Sequence, residues 1–199
     1  MKQQRTAGNV LSQEVAVTVR EHTTAPAYAV FDVLTNLPGH LQWGGAEAST
    51  LLSMAAPEGQ APAGTEFSST AEDRICRIRN SSVVTEAVRP LRFEQVTESA
   101  LVSKKNGTTA DWVLVHRYEI EADGNQSNVT YTCRLVRATG LPGLLAMFGI
   151  PVLRSIASVQ WARASRAGLR RLIAAAETAA QGEPAPTTRK EQDNGKAND

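Results

Sequence analysis

The residues most able to do chemistry in this chain are concentrated in one segment, DWVLVHRYEI, at positions 111–120. Its alternation is typical of a β-strand, whose successive side chains point to opposite faces of a sheet. The face opposite to the charged one carries Trp112, Leu114, His116, Tyr118 and Ile120. An inward imidazole and phenol could orient a ligand carbonyl or hydroxyl, or transfer a proton. Because an unpaired buried polar group costs about 1–3 kcal/mol, this pattern favours a binding cavity over a solid core.

The same side chains have structural interpretations that compete with ligand binding. His116 could be a buried histidine that is hydrogen-bonded to a neighbour such as Tyr131 or a helix serine. Tyr118 could be a wall residue that needs one hydrogen-bond partner, and Trp112 could line a cavity or fill a core. Trp43 is interpreted mainly as packing at one end of the fold.

The segment DRICRIRN, at 73–80, leaves open whether an arginine faces the interior. Arg74 shares its face with Cys76, Ile78 and Asn80, whereas Arg77 and Arg79 share the other with Ile75. If Arg77 and Arg79 point outward, the cysteine and Ile78 line the interior. If they point inward, a guanidinium could hold a carboxylate or an enolate there.

No constellation for covalent or metal-assisted catalysis can be read from the sequence. Cys76 and Cys133 lack metal-ligand spacing and an activating neighbour, so both are expected to be small buried hydrophobes. Paired carboxylates and catalytic triads are not recognisable either, and no cofactor or metal is predicted.

Length and charge exclude several classes of protein. With 199 residues and 42% hydrophobic content, the chain fits one domain with a tail. The net charge of +1 gives no general field for nucleic acid or for an acidic membrane. The arginines of the C-terminal region predict a solvated helix face, because no aromatic residue interleaves with Arg163, Arg166, Arg170 and Arg171.

The N-terminus has no apolar run, so we expect no secretory signal, reduced thiols and a cytoplasmic location. The longest apolar stretch, Leu141 to Leu153, is too short and too broken by proline to span a bilayer. Within it, GLPGLLAMFGIP at 140–151 could form a lid over a cavity, touch a membrane surface transiently, or be an ordinary packed connection. Met147 would supply adaptable contact in the first two cases.

The periodic patterns predict the elements that position these residues. Seven segments predict strands, at 14–21 and at about 46–55, 64–71, 74–89, 91–99, 110–122 and 126–137. Thr24 as a cap and Pro26 as the first helical residue predict a short helix, and HLQWGG predicts a second. A 3.6-residue pattern predicts a long amphipathic helix from Val152 to Ala180.

This order predicts an α+β domain, a curved antiparallel sheet of about seven strands wrapped around a long C-terminal helix, with two short helices after strand 1. The domain is expected at 13–180, between a loose segment at 1–12 and a disordered tail at 181–199. The inward stripe of the long helix has small residues in its first half, such as Ser165 and Gly168. A gap is therefore expected between the sheet and the helix.

Several stretches resemble one superfamily over about residues 13–178. They are VTVREHTTAPAYAVFDVLTNL, then Trp43, VVTEAVRPLRFE, NVTYTCRL and the terminal RRLIAAAE. The chain resembles the START-like superfamily, also called SRPBCC, which includes birch-pollen allergens, lipid-transfer domains and polyketide cyclases/dehydrases. The greatest likeness is to the bacterial polyketide cyclase/dehydrase and lipid-transport group. The resemblance implies a helix-grip fold with a deep cavity, and it leaves carrier and enzyme both open.

The first functional hypothesis is binding, and possibly transport, of a small hydrophobic molecule such as a lipid, a polyketide or an aromatic. The second is a polyketide aromatase/cyclase or dehydratase that uses cavity histidine, tyrosine or arginine for proton transfer. A packed module without a ligand is a third possibility. The residues expected to contact the ligand are Trp43, Phe67, Phe93, Trp112, Leu114, His116, Tyr118, Tyr131, Met147, Trp161 and Ser165. The oligomeric state is left open.

Overall fold

The computed structural model describes residues 14–44, 49–139 and 151–182, without the side chains of 49–50 and 151–157. Seven strands are present there: β1 Val15–Thr23, β2 Ser49–Ala55, β3 Glu66–Asp73, β4 Cys76–Val88, β5 Arg92–Ser103, β6 Thr109–Asp123 and β7 Gln126–Thr139. The helices are α1 Ala27–Thr35, α2 His40–Trp43 and α3 Pro151–Gly182, with a 3₁₀ turn at Leu37–Gly39. The segments 1–12 and 140–150 of the predictions, and the tail beyond 182, lie outside the described residues.

The strands form one antiparallel sheet in the order β1-β7-β6-β5-β4-β3-β2. Strands β2 to β7 follow one another as hairpins, and β1 pairs with β7 to complete the sheet. Register shifts interrupt the ladders between Val113 and Leu114 of β6 and between Val84 and Glu86 of β4. Such irregularities increase the local bending of a strand. The predicted α+β helix-grip class is confirmed.

Alternation fixes which face of the sheet is inside. In β1, Val15, Val17 and Val19 are buried, whereas the residues between them are exposed. The partner strand β7 buries Cys133 and Leu135 in the same way, and Cys133 lies opposite Val17 in the ladder. Burial of one apolar face on each strand makes the sheet one wall of the interior.

The core is densest where the second half of α3 meets α1. Leu172 and Ala176 of α3 are fully buried, as are Val30 and Leu34 of α1 and Leu37 of the 3₁₀ turn. These side chains belong to one continuous hydrophobic cluster, which also contains inner residues of β1 and of β4 to β7. The second half of the helix is therefore packed on protein, in contrast to its first half.

Glu177 links the C-terminal part of α3 to the end of β1 through hydrogen bonds. Its Oε1 accepts hydrogen bonds from Thr23 Oγ1 at 2.9 Å, from Thr24 N at 3.1 Å and from Thr24 Oγ1 at 3.0 Å. These bonds lower the pKa of Glu177. The prediction that Thr24 caps α1 is wrong, because the N-cap is Pro26 and the threonine hydroxyl is used by Glu177.

The outer face of the sheet carries the charged residues. Arg117 on β6 forms ion pairs with Glu86, Glu94 and Glu119 at 3.1 to 3.5 Å. On the helix, Arg166 and Arg170 each contact Glu21 of β1 at 3.2 Å. These charged side chains therefore lie on the outer face of the sheet and on the outward face of α3, as predicted.

Candidate functional site

A cavity of about 820 Å³ lies between the inner face of the sheet and α3. Its volume is within the range of about 300–1,000 Å³ that is usual for small-molecule sites. Strands β2 to β7 contribute one wall, and α2 and the α3 segment from Gln160 to Leu169 contribute the other. The gap predicted from the small helix residues is present.

The shape of α3 explains why this space is not filled. Ala164, Ser165 and Gly168 face the cavity, and none has a side chain long enough to reach the sheet. Trp161 lines the cavity one turn earlier, and Leu169, which is 2% exposed, begins the packed half of the helix. The C-terminal half of α3 therefore packs on the protein interior, whereas the segment before it is separated from the sheet by the cavity.

Most of the cavity wall is apolar. The aliphatic and aromatic residues of the wall include Leu51, Met54, Phe67, Ala71, Ile78, Leu101, Leu114 and Leu135. The three tryptophans of the chain also line the cavity; they are Trp43, Trp112 and Trp161. A wall of this composition favours a ligand with a large apolar surface.

A group of polar side chains crosses the inner face of three neighbouring strands. We call this group the polar strip; it consists of Ser69, Asn80, Ser82, Gln95, Thr97 and Ser99. Asn80 Nδ2 donates to Ser69 Oγ at 3.0 Å, and Ser99 Oγ donates to Asn80 Oδ1 at 2.8 Å. The hydroxyls of Ser82 and Thr97 are 2.9 Å apart. The polar strip is thus largely paired within itself and stable without a ligand.

His116 forms a compact polar cluster with β7. Its Nδ1 lies 2.7 Å from the Tyr131 hydroxyl and 3.6 Å from Cys133 Sγ. Burial lowers the pKa of His116 to about 4 and raises that of Cys133 to about 12. The imidazole and the thiol are therefore both neutral near pH 7, and Cys133 is not an activated nucleophile. The expected hydrogen bond between His116 and Tyr131 is present.

Tyr118 and Tyr131 stack on neighbouring strands beside this cluster. Their rings are 4.7 Å apart and face each other in the β6–β7 ladder. Burial raises the pKa of both phenols. Both hydroxyls consequently remain protonated at physiological pH and can act only as neutral hydrogen-bonding groups.

Three buried polar atoms of the cavity wall have no hydrogen-bond partner within the described residues. They are Trp43 Nε1, Gln95 Oε1 and Trp112 Nε1. The Trp43 ring packs against His40 at 4.3 Å, and His40 Nε2 donates to Leu34 O at 2.8 Å. The three atoms are shielded from water, and an unpaired buried donor or acceptor costs about 1–3 kcal/mol.

Most of the residues predicted to contact a ligand do line the cavity. The structure places there Trp43, Phe67, Trp112, Leu114, His116, Tyr118, Tyr131, Trp161 and Ser165. Phe93 does not line the cavity, which corrects the prediction for this residue. Its ring is fully buried in the core, 6.4 Å from the Tyr118 ring. Met147 lies outside the described residues. Contact of any of these side chains with a ligand remains a prediction.

The arginine alternative is resolved. Arg77 and Arg79 point outward and are exposed, while the alternating residues Ile78 and Asn80 line the cavity. Arg74 is exposed in the turn between β3 and β4. An interior guanidinium from this segment, as the second hypothesis allowed, is therefore wrong, because strand alternation places the apolar and amide side chains inside.

Sequence reasoning missed the polar strip. Its signal was present as alternation of short polar residues, at 80 and 82 on β4 and at 95, 97 and 99 on β5. Interpreting it required the register, which places Asn80 opposite Ser99 and Ser82 opposite Thr97. Serine and threonine are common on outer faces as well, so the pattern alone did not indicate the inside.

Within the ranges given above, no three histidine, cysteine or acidic side chains come together in a way that could hold a metal ion. None of the described helices has both the length and the apolar character required to cross a bilayer.

Comparisons with known proteins show what this chain is similar to. No family model and no curated protein matches its sequence. An uncharacterized protein from Rhizobium leguminosarum matches with 14% identity and a TM-score of 0.57, over 85% of this chain and 97% of that one. A protein from Arthrobacter aurescens matches with 11% identity and a TM-score of 0.54, over 92% and 98%.

Ara h 8.0201 matches with 9% identity and a TM-score of 0.53, over 83% of this chain and 99% of that one. Identities this low show the fold and not the activity. What the comparisons establish is that this chain has the helix-grip fold of an antiparallel sheet around a C-terminal helix, shared with these structures.

Proposed function

We propose that this protein binds a small, mostly apolar molecule in the cavity between its sheet and α3, without making or breaking bonds. The observation that carries this proposal is the cavity itself, about 820 Å³ in volume and walled by aliphatic and aromatic side chains. The resemblance to the START-like superfamily supports it, with a lipid, a polyketide or an aromatic as the class of ligand. The binding domain corresponds to residues 13–180, and the location is cytoplasmic, where the unpaired Cys76 and Cys133 stay reduced.

Energetics support occupancy. The cavity is partly open to solvent, so water fills it when no ligand is bound. Because the wall is mostly apolar, a ligand that displaces this water gains free energy from the burial of both apolar surfaces.

A cavity-filling substitution tests the proposal. Ala164→Phe places an aromatic ring in the cavity from α3, whereas Ala174→Phe places the same ring on an exposed position of the same helix. We expect the neutral dye Nile red to bind the wild type and Ala174→Phe, and to bind Ala164→Phe at least about tenfold more weakly, since each 1.4 kcal/mol lost is a factor of ten. Circular dichroism of both variants checks that they fold.

Native mass spectrometry of the purified wild type gives an independent readout. An additional mass that organic extraction removes would identify a bound natural ligand. If Nile red does not bind the wild type, or binds the two variants equally, the cavity is not a binding site and the proposal fails.

One observation favours a second candidate, a polyketide aromatase/cyclase or dehydratase. The His116 imidazole and the Tyr131 hydroxyl are 2.7 Å apart at the cavity wall, within reach for proton transfer. In this candidate the neutral His116 accepts a proton, and Tyr118 or Tyr131 orients a ketone oxygen. Turnover of a poly-β-ketone mimic by the wild type, lost in His116→Ala and Tyr118→Phe, would support it. Absence of turnover in the wild type would end it.

A further inference from the structure

We propose that the cavity selects uncharged ligands over charged ligands of the same shape. This inference rests on the proposed binding function and names the chemical class of its ligand. A neutral alcohol, ketone, ester or phenol with an apolar body fits, whereas a free carboxylic acid or an amine does not.

The described cavity wall contains no side chain with a formal charge. Aspartate, glutamate, lysine and arginine are absent from its described lining, whose ionisable members are His40, His116, Tyr118, Tyr131 and Cys133. Burial lowers the pKa of each histidine to about 4 and raises the pKa values of the tyrosines and of the cysteine. All five are therefore neutral at physiological pH.

A charged ligand group would have no counter-ion in such a cavity. A carboxylate or an ammonium that leaves water needs an opposite charge or several strong hydrogen bonds, and without them the transfer is very costly. Arg77 and Arg79, which flank the wall residue Ile78 in the sequence, are exposed on the opposite face of β4. The outward orientation of those two residues thus makes the interior selective for neutral molecules.

The hydrogen-bonding groups of the cavity wall differ in whether they have a partner. Most of the polar strip is paired internally, and His116 is paired with Tyr131. Two donors, Trp43 Nε1 and Trp112 Nε1, remain without partners within the described residues, together with the acceptor Gln95 Oε1. All three atoms are shielded from water, so they cannot stabilise a charged ligand group in place of a counter-ion.

Competition between two matched compounds tests the charge selectivity. 9-Anthracenemethanol and 9-anthracenecarboxylate share one ring system, and only the second is charged at pH 7.5. We expect the alcohol to displace Nile red from the wild-type protein with at least about tenfold higher affinity, because the carboxylate meets no counter-ion. Equal affinity, a preference for the carboxylate, or displacement by neither compound would overturn the proposal. Since Nile red binding itself reports the proposed function, the two failures are distinguishable.

Discussion

Acid should destabilise this protein through two buried histidines. Burial lowers the pKa of His40 and of His116 from 6.5 to about 4. In the unfolded chain both titrate near the ordinary value, so between pH 6.5 and about 4 the unfolded state binds more protons than the folded state. The stability that the neutral imidazoles contribute is therefore complete above pH 6.5 and is lost as the pH falls towards 4.

The size of the loss follows from the two pKa values. For one histidine whose pKa changes from 6.5 to about 4, linkage gives a loss of about 2 kcal/mol between pH 7 and pH 5. Two such groups give about 4 kcal/mol, which is a large fraction of the stability of a typical domain, about 5–15 kcal/mol. Urea unfolding of the ligand-free protein at both pH values measures this difference.

Two substitutions isolate the histidine contribution from that of the carboxylates. His40→Gln can keep the hydrogen bond that Nε2 donates to Leu34 O, and His116→Asn can keep the one between Nδ1 and Tyr131. Each should reduce the loss between pH 7 and pH 5 by about 2 kcal/mol. His22→Gln, at an exposed position, retains both buried histidines and serves as the control. A loss in both buried variants as large as in the wild type would refute the reasoning.

Three further predictions concern the frame around the cavity. Phe93→Ala should lower the free energy of unfolding in urea by about 3–5 kcal/mol, because the ring is fully buried. Phe67→Ala at the cavity wall should lower it less and should change the affinity for Nile red. Equal losses of stability in the two variants would contradict this assignment. Glu177→Gln should lower the free energy of unfolding by about 1–2 kcal/mol, since three hydrogen bonds to a charged group weaken, and an unchanged value would show that the fastening of α3 is dispensable. Arg117→Ala on the outer face should cost no more than about 1 kcal/mol, less at high salt, with Nile red binding unchanged; altered dye affinity would mean that the two faces are coupled.

Periodicity was sufficient for the fold. Valines at alternate positions in β1 and the 3.6-residue pattern in α3 identify elements that the structure contains, because burial of one face determines both patterns. The small residues Ser165 and Gly168 also indicated the cavity. The predictions that were wrong concern details that depend on tertiary partners. Thr24 donates a hydrogen bond to Glu177, near the far end of the chain, and does not cap α1.

The candidate site was predictable only in part. His116 and Tyr118 were recognisable on β6 since a single strand shows its own alternation, and DRICRIRN remained undecided because both of its faces are mixed. The polar strip depends on the register of three strands, which no single strand reveals. Phe93 alternates like a wall residue, yet it is fully buried in the main hydrophobic cluster, beside Tyr118 of the next strand.

Nuclear magnetic resonance of the indole groups tests the central claim most directly. The chain has three tryptophans, and all of them line the cavity. In ¹⁵N-labelled protein their N–H groups give three side-chain signals, which single Trp→Phe variants assign. A saturating amount of 9-anthracenemethanol should shift all three, and Ala164→Phe should abolish the shifts. Three unmoved signals in the wild type would contradict the account of this cavity as a ligand site.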